Sequence, residues 1–181
     1  TDEQFADMVK QLQSQGMKGL IVDVRANPGG MLRTVTELLD QVLPEGLLVY
    51  VEDKYGNRDE YTSDATSLNL PMVVLIDESS ASASEIFAGA LKDYNYATLV
   101  GKTTYGKGIV QNIIRLSDGD AMKITTAKYF TPNGNDIHKI GVTPDVEVDY
   151  EYSGPEDETY DKQYDSQFLK ALEIMKEKLG Q

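Results

Sequence analysis

Serines crowd the segment 79–84, where four of six residues are serine (SSASAS). The segment follows an apolar run at 71–77 that predicts a buried strand, and an apolar helix-like pattern follows it. A serine at a helix N-terminus lies among oriented backbone N–H groups, which stabilise an anion that develops there. Serine is also a preferred helix cap. Taken alone, the segment is typical of either a nucleophile or ordinary capping.

A second polar segment, 27–30 (NPGG), follows the apolar run at 20–24. Gly29 and Gly30 allow close backbone approach and leave N–H groups exposed, as an oxyanion hole requires. Taken alone, the same residues more often form a tight turn before a helix.

Lys107 lies between two glycines in the segment 106–111 (GKGIVQ). If this segment is extended, Lys107, Ile109 and Gln111 share one face. A lysine in a dry pocket can act as a general base, and a neighbouring glutamine can hold its amine without adding charge. A solvated loop lysine is the alternative. The segment is not a phosphate-binding P-loop, because Gly108 follows Lys107 where that motif needs serine or threonine.

The chain has no cysteine and a single histidine, His138. This composition excludes disulfides, thiolate zinc sites, cysteine nucleophiles and histidine-rich metal centres. A serine with a lysine base needs no histidine. A Ser-His-Asp triad through His138 is the rival, but no G-x-S-x-G motif accompanies it. A packing or surface role is favoured for His138.

The charge balance limits the possible partners. The 181 residues include 17 basic and 30 acidic side chains, for a net charge of −13. Such a chain repels phosphate backbones and anionic lipid, so neither nucleic acid nor a membrane surface is an expected partner. No apolar run approaches the length of a membrane span, so we expect no membrane insertion. The chain begins at Thr1 without an initiator Met, and we expect it to be a piece of a longer protein.

The hydrophobic pattern predicts a three-layer α/β domain, with chemistry where loops leave the carboxyl ends of strands. Expected strands are 20–24, 47–52, 58–62, 71–77, 97–100, 109–116 and 121–130. One expected helix begins at Asp2 and Glu3 and stops at Gly16, and two others begin near residues 31 and 85. Phe168, Leu172, Met175 and Leu179 mark a final amphipathic helix. Between them, 145–165 holds nine carboxylates and one lysine, which predicts a solvated linker.

Four segments, in order, resemble the carboxy-terminal processing peptidases, also called tail-specific proteases. The resemblance covers roughly residues 5–148 and is carried by the segments 19–30 (GLIVDVRANPGG), 74–91 with SASASE at 80–85, 101–108 (GKTTYGKG), and 131–134 (TPNG) with 141–145 (GVTPD). Each motif is weak alone, but four in family order are specific.

The resemblance implies a crotonase/Clp-protease-like α/β core and a serine endopeptidase with a Ser/Lys dyad and no metal or cofactor. Ser82 matches the nucleophile, Lys107 the general base and Gln111 the residue that orients the lysine. Ala83 and either Gly29 or Gly30 match the oxyanion amides, Glu85 is a supporting residue, and Ser80 and Ser84 are the alternative nucleophiles.

The resemblance also implies an organisation. We expect a peptidase core at 1–148 that begins beyond an N-terminal helical region and a PDZ domain, and an acidic linker with a helix at 149–181. Expected partners are protein or peptide substrates and a second copy in a homodimer. The expected location is outside the cytoplasm of a bacterium. The alternatives are a catalytically incompetent scaffold of the same fold, and an esterase or acyl transferase that uses the same serine.

Overall fold

The computed structural model describes residues 2–155 and 159–181. Its helices are α1 (Asp2–Ser14), α2 (Leu32–Asp40), α3 (Ala83–Asp93) and α4 (Ser166–Lys178), with a 3-10 turn at Lys162–Tyr164. Its strands are β1 (Leu20–Asp23), β2 (Gly46–Asp53), β3 (Arg58–Ser63), β4 (Met72–Ile76), β5 (Ala97–Gly101), β6 (Ile109–Arg115), β7 (Ala121–Phe130) and β8 (Val146–Glu147). The predicted α/β architecture with a C-terminal helix is confirmed.

A parallel sheet with the strand order β1-β4-β5-β8 forms the centre of the fold. All five side chains of β4 are fully buried. Since side chains alternate along a strand, Met72, Val74 and Ile76 join the main core, while Val73 and Leu75 join a second core under α4. A sheet that is covered on both faces needs a continuous apolar strand, which explains the uninterrupted run in the sequence.

An antiparallel sheet with the order β3-β2-β7-β6 packs on the main core. Val49, Val51 and Tyr129 of this sheet lie in the same buried cluster as Ile86 and Phe87 of α3. The loop between β5 and β6 therefore connects the two sheets. This connection brings residues 102–108 beside the N-terminus of α3.

The described part of the acidic segment after residue 144 includes β8, the 3-10 turn and one buried carboxylate. Asp165 is fully buried at the N-terminus of α4. Hydrogen bonds from three segments to its carboxylate offset the cost of this burial. Phe168 N donates to Oδ1 at 2.9 Å, the Tyr160 hydroxyl donates to Oδ2 at 2.7 Å, and the Arg25 guanidinium lies 2.8 Å from Oδ2. Glu156, Asp157 and Glu158 of this tract lie outside the described residues.

Arg25 joins the end of the first strand to this C-terminal segment. Its guanidinium also contacts Asp23 at 2.7 Å and donates to Gln167 Oε1 at 2.9 Å. Burial works to raise the pKa of the Asp165 carboxyl, but the hydrogen bonds from Arg25, Tyr160 and Phe168 outweigh it and hold that pKa below its ordinary value. Asp165 therefore stabilises the fold at pH values above its ordinary pKa. This contribution is lost as the pH falls through its lowered pKa in the folded protein.

None of the helices in the described ranges is both long and apolar enough to cross a membrane.

We predict that Asp165→Asn lowers the free energy of unfolding at pH 7 by about 2 kcal/mol, because Arg25 loses a buried anionic partner while asparagine can still cap α4. The deficit should shrink as the pH is lowered below 4, since protonation removes the same charge from the unsubstituted protein. Urea unfolding followed by circular dichroism at both pH values measures it.

Glu173→Gln is the matched control, because Glu173 is in an exposed pair with Lys170 on the same helix. It should change stability by about 0.5 kcal/mol or less. Equal stability of Asp165→Asn and the unsubstituted protein at pH 7 would contradict the buried ion pair.

Candidate active site

Ser82 is the N-cap of α3 and has a backbone conformation that is rare for serine. Its φ of 58° and ψ of −116° lie outside the regions that non-glycine residues normally occupy. Such strain costs about 1–3 kcal/mol and persists only where the surroundings hold it. Here Ser82 N–H donates to Glu85 Oε2 at 2.8 Å. The turn presents the Ser82 side chain to a cleft.

The two alternative serines are buried and occupied with structural hydrogen bonds. The Ser80 hydroxyl donates to the Val24 carbonyl at 2.8 Å, and the Ser84 hydroxyl donates to the Asn27 carbonyl at 3.1 Å. Both bonds fasten the loop after β1 to the turn before α3. This geometry favours Ser82 over Ser80 and Ser84 as the nucleophile.

The loop at 26–30 lies directly against the turn that carries Ser82. The Asn27 carbonyl accepts from Ala81 N at 3.0 Å, and Asp77 accepts from Ala26 N at 3.0 Å. Gly29 has a φ of +91°, and a Cβ there would lie 2.4 Å from the Ala81 carbonyl oxygen. Only glycine permits this close approach.

The two candidate oxyanion glycines differ in their hydrogen bonding. Gly29 N–H donates to Asn27 Oδ1 at 2.9 Å. Gly30 N–H and Ala83 N–H have no acceptor among the described residues, and both residues line the cleft beside Ser82. A Cβ at Gly30 would meet nothing within 4 Å. The geometry therefore favours Gly30 over Gly29 as the partner of Ala83.

The Glu85 carboxylate joins the turn of Ser82 to the loop of Lys107. Glu85 is fully buried. Its Oε1 accepts from the Thr104 hydroxyl and from Gly106 N, both at 2.6 Å. Its Oε2 accepts from Lys107 N and Ser82 N, both at 2.8 Å. One carboxylate thus fixes the backbone of both predicted catalytic residues.

Tyr129 supports the same loop from β7. Its hydroxyl donates to the Lys107 carbonyl oxygen. Burial raises the pKa of the Tyr129 hydroxyl well above its ordinary value, while a hydrogen bond with the Ser82 side chain acts in the opposite direction. Tyr129 therefore stays protonated and contacts both halves of the site.

A cleft of about 300 Å³ contains the predicted catalytic side chains. Ser82, Lys107 and Gln111 all line it. The Gln111 amide donates to Thr125 Oγ1 at 3.4 Å, and among the described residues no hydrogen bond joins it to the Lys107 amine. Its orienting role therefore stays a prediction. A second, mostly apolar cleft of about 300 Å³ lies across Gly29, Gly30 and Ala83.

His138 packs behind the lysine loop and does not line the cleft. A Cβ on Gly108 would lie 2.6 Å from His138 N, so the two backbones are in close contact. Among the described residues, His138 Nδ1 has no hydrogen-bond partner although it is buried. This placement agrees with the packing role expected for His138. Nor do the described residues contain a cluster of acidic, histidine or cysteine side chains that could hold a metal ion.

Sequence reasoning missed two supporting residues, Thr104 and Asp77. The Thr104 hydroxyl donates to Glu85 and accepts from Val142 N at 2.7 Å. Asp77 accepts from the backbone on both sides of the site, at Ala26 and Ser79. Asp77 directly follows the apolar strand β4. Its position at the carboxyl end of that strand was the sequence signal that could have identified it. Nothing in the local pattern distinguished Thr104 from its neighbour Thr103.

Comparison with known proteins gives consistent matches. The family model described as Peptidase family S41 matches residues 1–148. A carboxyl-terminal-processing protease of Synechocystis is 43% identical over 148 residues, which cover 81% of this chain and 35% of the relative. The carboxy-terminal processing protease CtpB of Bacillus subtilis is 41% identical over 160 residues, which cover 86% of this chain and 33% of the relative. The chain thus spans about a third of the length of these relatives.

Solved structures match the fold. The photosystem II D1 C-terminal processing protease superposes with a TM-score of 0.76 at 40% identity, over 82% of this chain and 40% of that one. An S41 protease from Bacteroides fragilis superposes with a TM-score of 0.74 at 18% identity, over 95% of this chain and 49% of that one, and shows the fold alone. On the family match and these identities, the chain belongs to peptidase family S41, among the carboxyl-terminal processing proteases.

Proposed function

We propose that this chain is the catalytic unit of a serine endopeptidase in which Ser82 is the nucleophile and Lys107 is its general base. The observation that carries the proposal is the Glu85 carboxylate, which accepts hydrogen bonds from the backbone N–H groups of both residues. This shared partner holds the two side chains at one cleft. Family membership supports the same reaction class.

The reaction begins when neutral Lys107 takes the Ser82 hydroxyl proton as Ser82 Oγ attacks a peptide carbonyl carbon. The carbonyl oxygen becomes an anion and accepts from the N–H groups of Ala83 and Gly30. The Lys107 ammonium then gives its proton to the departing amine. Lys107 next takes a proton from a water molecule as the water oxygen attacks the acyl carbon, and the Lys107 ammonium returns that proton to Ser82 Oγ as the ester bond breaks.

The surroundings suit a polypeptide substrate. The second cleft is lined mainly by apolar side chains and borders the oxyanion residues, so it can accept an apolar substrate side chain next to the scissile bond. The relatives' names describe processing at carboxyl termini. We extend that property to this chain, with unstructured protein tails as substrates and action outside the cytoplasm.

We expect Ser82→Ala and Lys107→Ala each to reduce peptide turnover by about 10³-fold or more, because each removes a group that takes part in bond making. Lys107→Arg should be equally inactive, since arginine keeps the charge but does not lose its proton. Cleavage of an unstructured protein with an apolar C-terminal tail, followed by mass spectrometry, measures turnover.

The controls are Ser80→Ala and Ser84→Ala, which remove hydroxyls that fasten the loop and leave Ser82 in place. Their residual activity should exceed that of Ser82→Ala once folding is verified by circular dichroism. Full turnover by folded Ser82→Ala or Lys107→Ala would refute the dyad.

The rate of turnover should rise with pH between about 6 and 9, because only the neutral amine of Lys107 can accept the serine proton. Initial rates at constant ionic strength, with the fold checked at each pH, give the profile. A flat profile across this range would argue against a lysine base.

Gly29→Ala and Gly30→Ala should separate the two glycines. Gly29→Ala should lower the free energy of unfolding by about 2 kcal/mol or more, because its Cβ would overlap the Ala81 carbonyl at a positive φ. Gly30→Ala should change stability by less than about 1 kcal/mol but slow turnover, because its methyl group enters the cleft beside the oxyanion amide. Equal stability losses in the two variants would contradict this assignment.

A further inference from the structure

The Lys123 side chain lines the candidate catalytic cleft. It lies on β7 opposite Ile113 of β6, two residues from the pair formed by Gln111 and Thr125. Because side chains two residues apart share a face, Lys123 is on the same side of the hairpin as Gln111. Both side chains line the cleft with Ser82 and Lys107.

Four lysines elsewhere in the chain are paired with carboxylates. The amines of Lys92, Lys102, Lys128 and Lys170 each lie within 3.2 Å of a carboxylate oxygen. Lys123 is exposed and, like the amine of Lys107, has no carboxylate or hydrogen-bond partner within the two described ranges. This happens in a chain with 30 acidic side chains and a net charge of −13.

The charge of the cleft is opposite to that of the chain. Of the residues that the structure describes, the ionisable lysines that line it are Lys107 and Lys123, and no carboxylate does so. Lys107 must be neutral when it accepts the serine proton, so Lys123 is the cation that persists through the reaction. An ammonium group at the wall of a partly enclosed cleft favours an anionic group on a bound molecule.

We propose that Lys123 is a specificity-determining residue whose ammonium group binds a carboxylate of the polypeptide substrate. The inference rests on the proposed peptidase function, because it assigns the cleft to a polypeptide. Two sources have this chemistry, an aspartate or glutamate side chain and the terminal α-carboxylate. Lys123 lies about 7 Å along the strand from Thr125, which places the carboxylate towards the hairpin end of the cleft.

The test measures binding without turnover. Fluorescently labelled peptides are titrated onto Ser82→Ala protein, with folding verified by circular dichroism. In one set of peptide pairs, the two members have glutamate or glutamine at the same position, and that position moves along the peptide from pair to pair. In a further pair, one peptide ends in a free carboxylate and the other in an amide. We expect at least one anionic peptide to bind about 3- to 10-fold more tightly than its neutral partner at low salt, with the ratio falling at high salt.

Substitution of Lys123 in the same Ser82→Ala background identifies the cause of that ratio. Lys123→Gln should bring the ratio close to one, Lys123→Glu should invert it, and Lys123→Arg should retain it. Lys128→Gln is the matched control, because Lys128 is on the same strand but is paired with Asp136 at 2.7 Å. It should leave the ratio unchanged.

The ratio of peptide affinities can support or overturn the proposal. A ratio that depends on the terminal group assigns the α-carboxylate, and one that depends on glutamate assigns a side chain; either supports the proposal. Equal binding of anionic and neutral peptides, no binding of any peptide, or a ratio that survives Lys123→Gln overturns it. The peptidase proposal is tested separately, by measuring turnover with the protein that retains Ser82. Loss of that proposal is therefore distinguishable from loss of the Lys123 proposal.

Discussion

The site depends on one buried carboxylate. Glu85 accepts four hydrogen bonds, from Ser82, Thr104, Gly106 and Lys107, and these donors come from two separate segments of the chain. A buried carboxylate is costly unless such donors surround it, so the fold is favoured only when both segments are in place. Because Glu85 needs these donors to offset its burial, it holds Ser82 and Lys107 close together, as the proposed chemistry requires.

A second group of polar contacts holds the strained turn in position. Ser82 has a left-handed φ, and the neighbouring hydroxyls of Ser80 and Ser84 donate to carbonyls of the opposite loop. These bonds join the loop that carries Gly30 to the turn that carries Ala83. The two free amides are thus parts of a single rigid unit, as an oxyanion site requires.

The charged side chains of the chain have different roles in different places. Many carboxylates of this acidic chain are solvated, but Asp165 is buried against Arg25 and links the C-terminal helix to the end of β1. The helix α4 is therefore packed on the same sheet that positions the candidate catalytic loops. Among the described residues, the side chains that line the cleft include two lysines and no carboxylate, in contrast to the acidic character of the whole chain.

Much of the fold followed from local patterns. The apolar run that contains β4 predicted a buried strand, because hydrophobic periodicity is a property of short segments. The order of the motifs indicated the family. Helix ends shifted by a few residues, as in α2, since caps depend on neighbouring loops.

The tertiary structure decided what depends on distant partners. Serine spacing alone left Ser80, Ser82 and Ser84 open, because only the folded chain places the Ser80 and Ser84 hydroxyls against carbonyls of the opposite loop and Ser82 at the cleft. The choice between the amides of Gly29 and Gly30 likewise depends on the position of Asn27 Oδ1. The sequence determined the residue types and their local structure; long-range hydrogen bonds decided which of those residues remain available for chemistry.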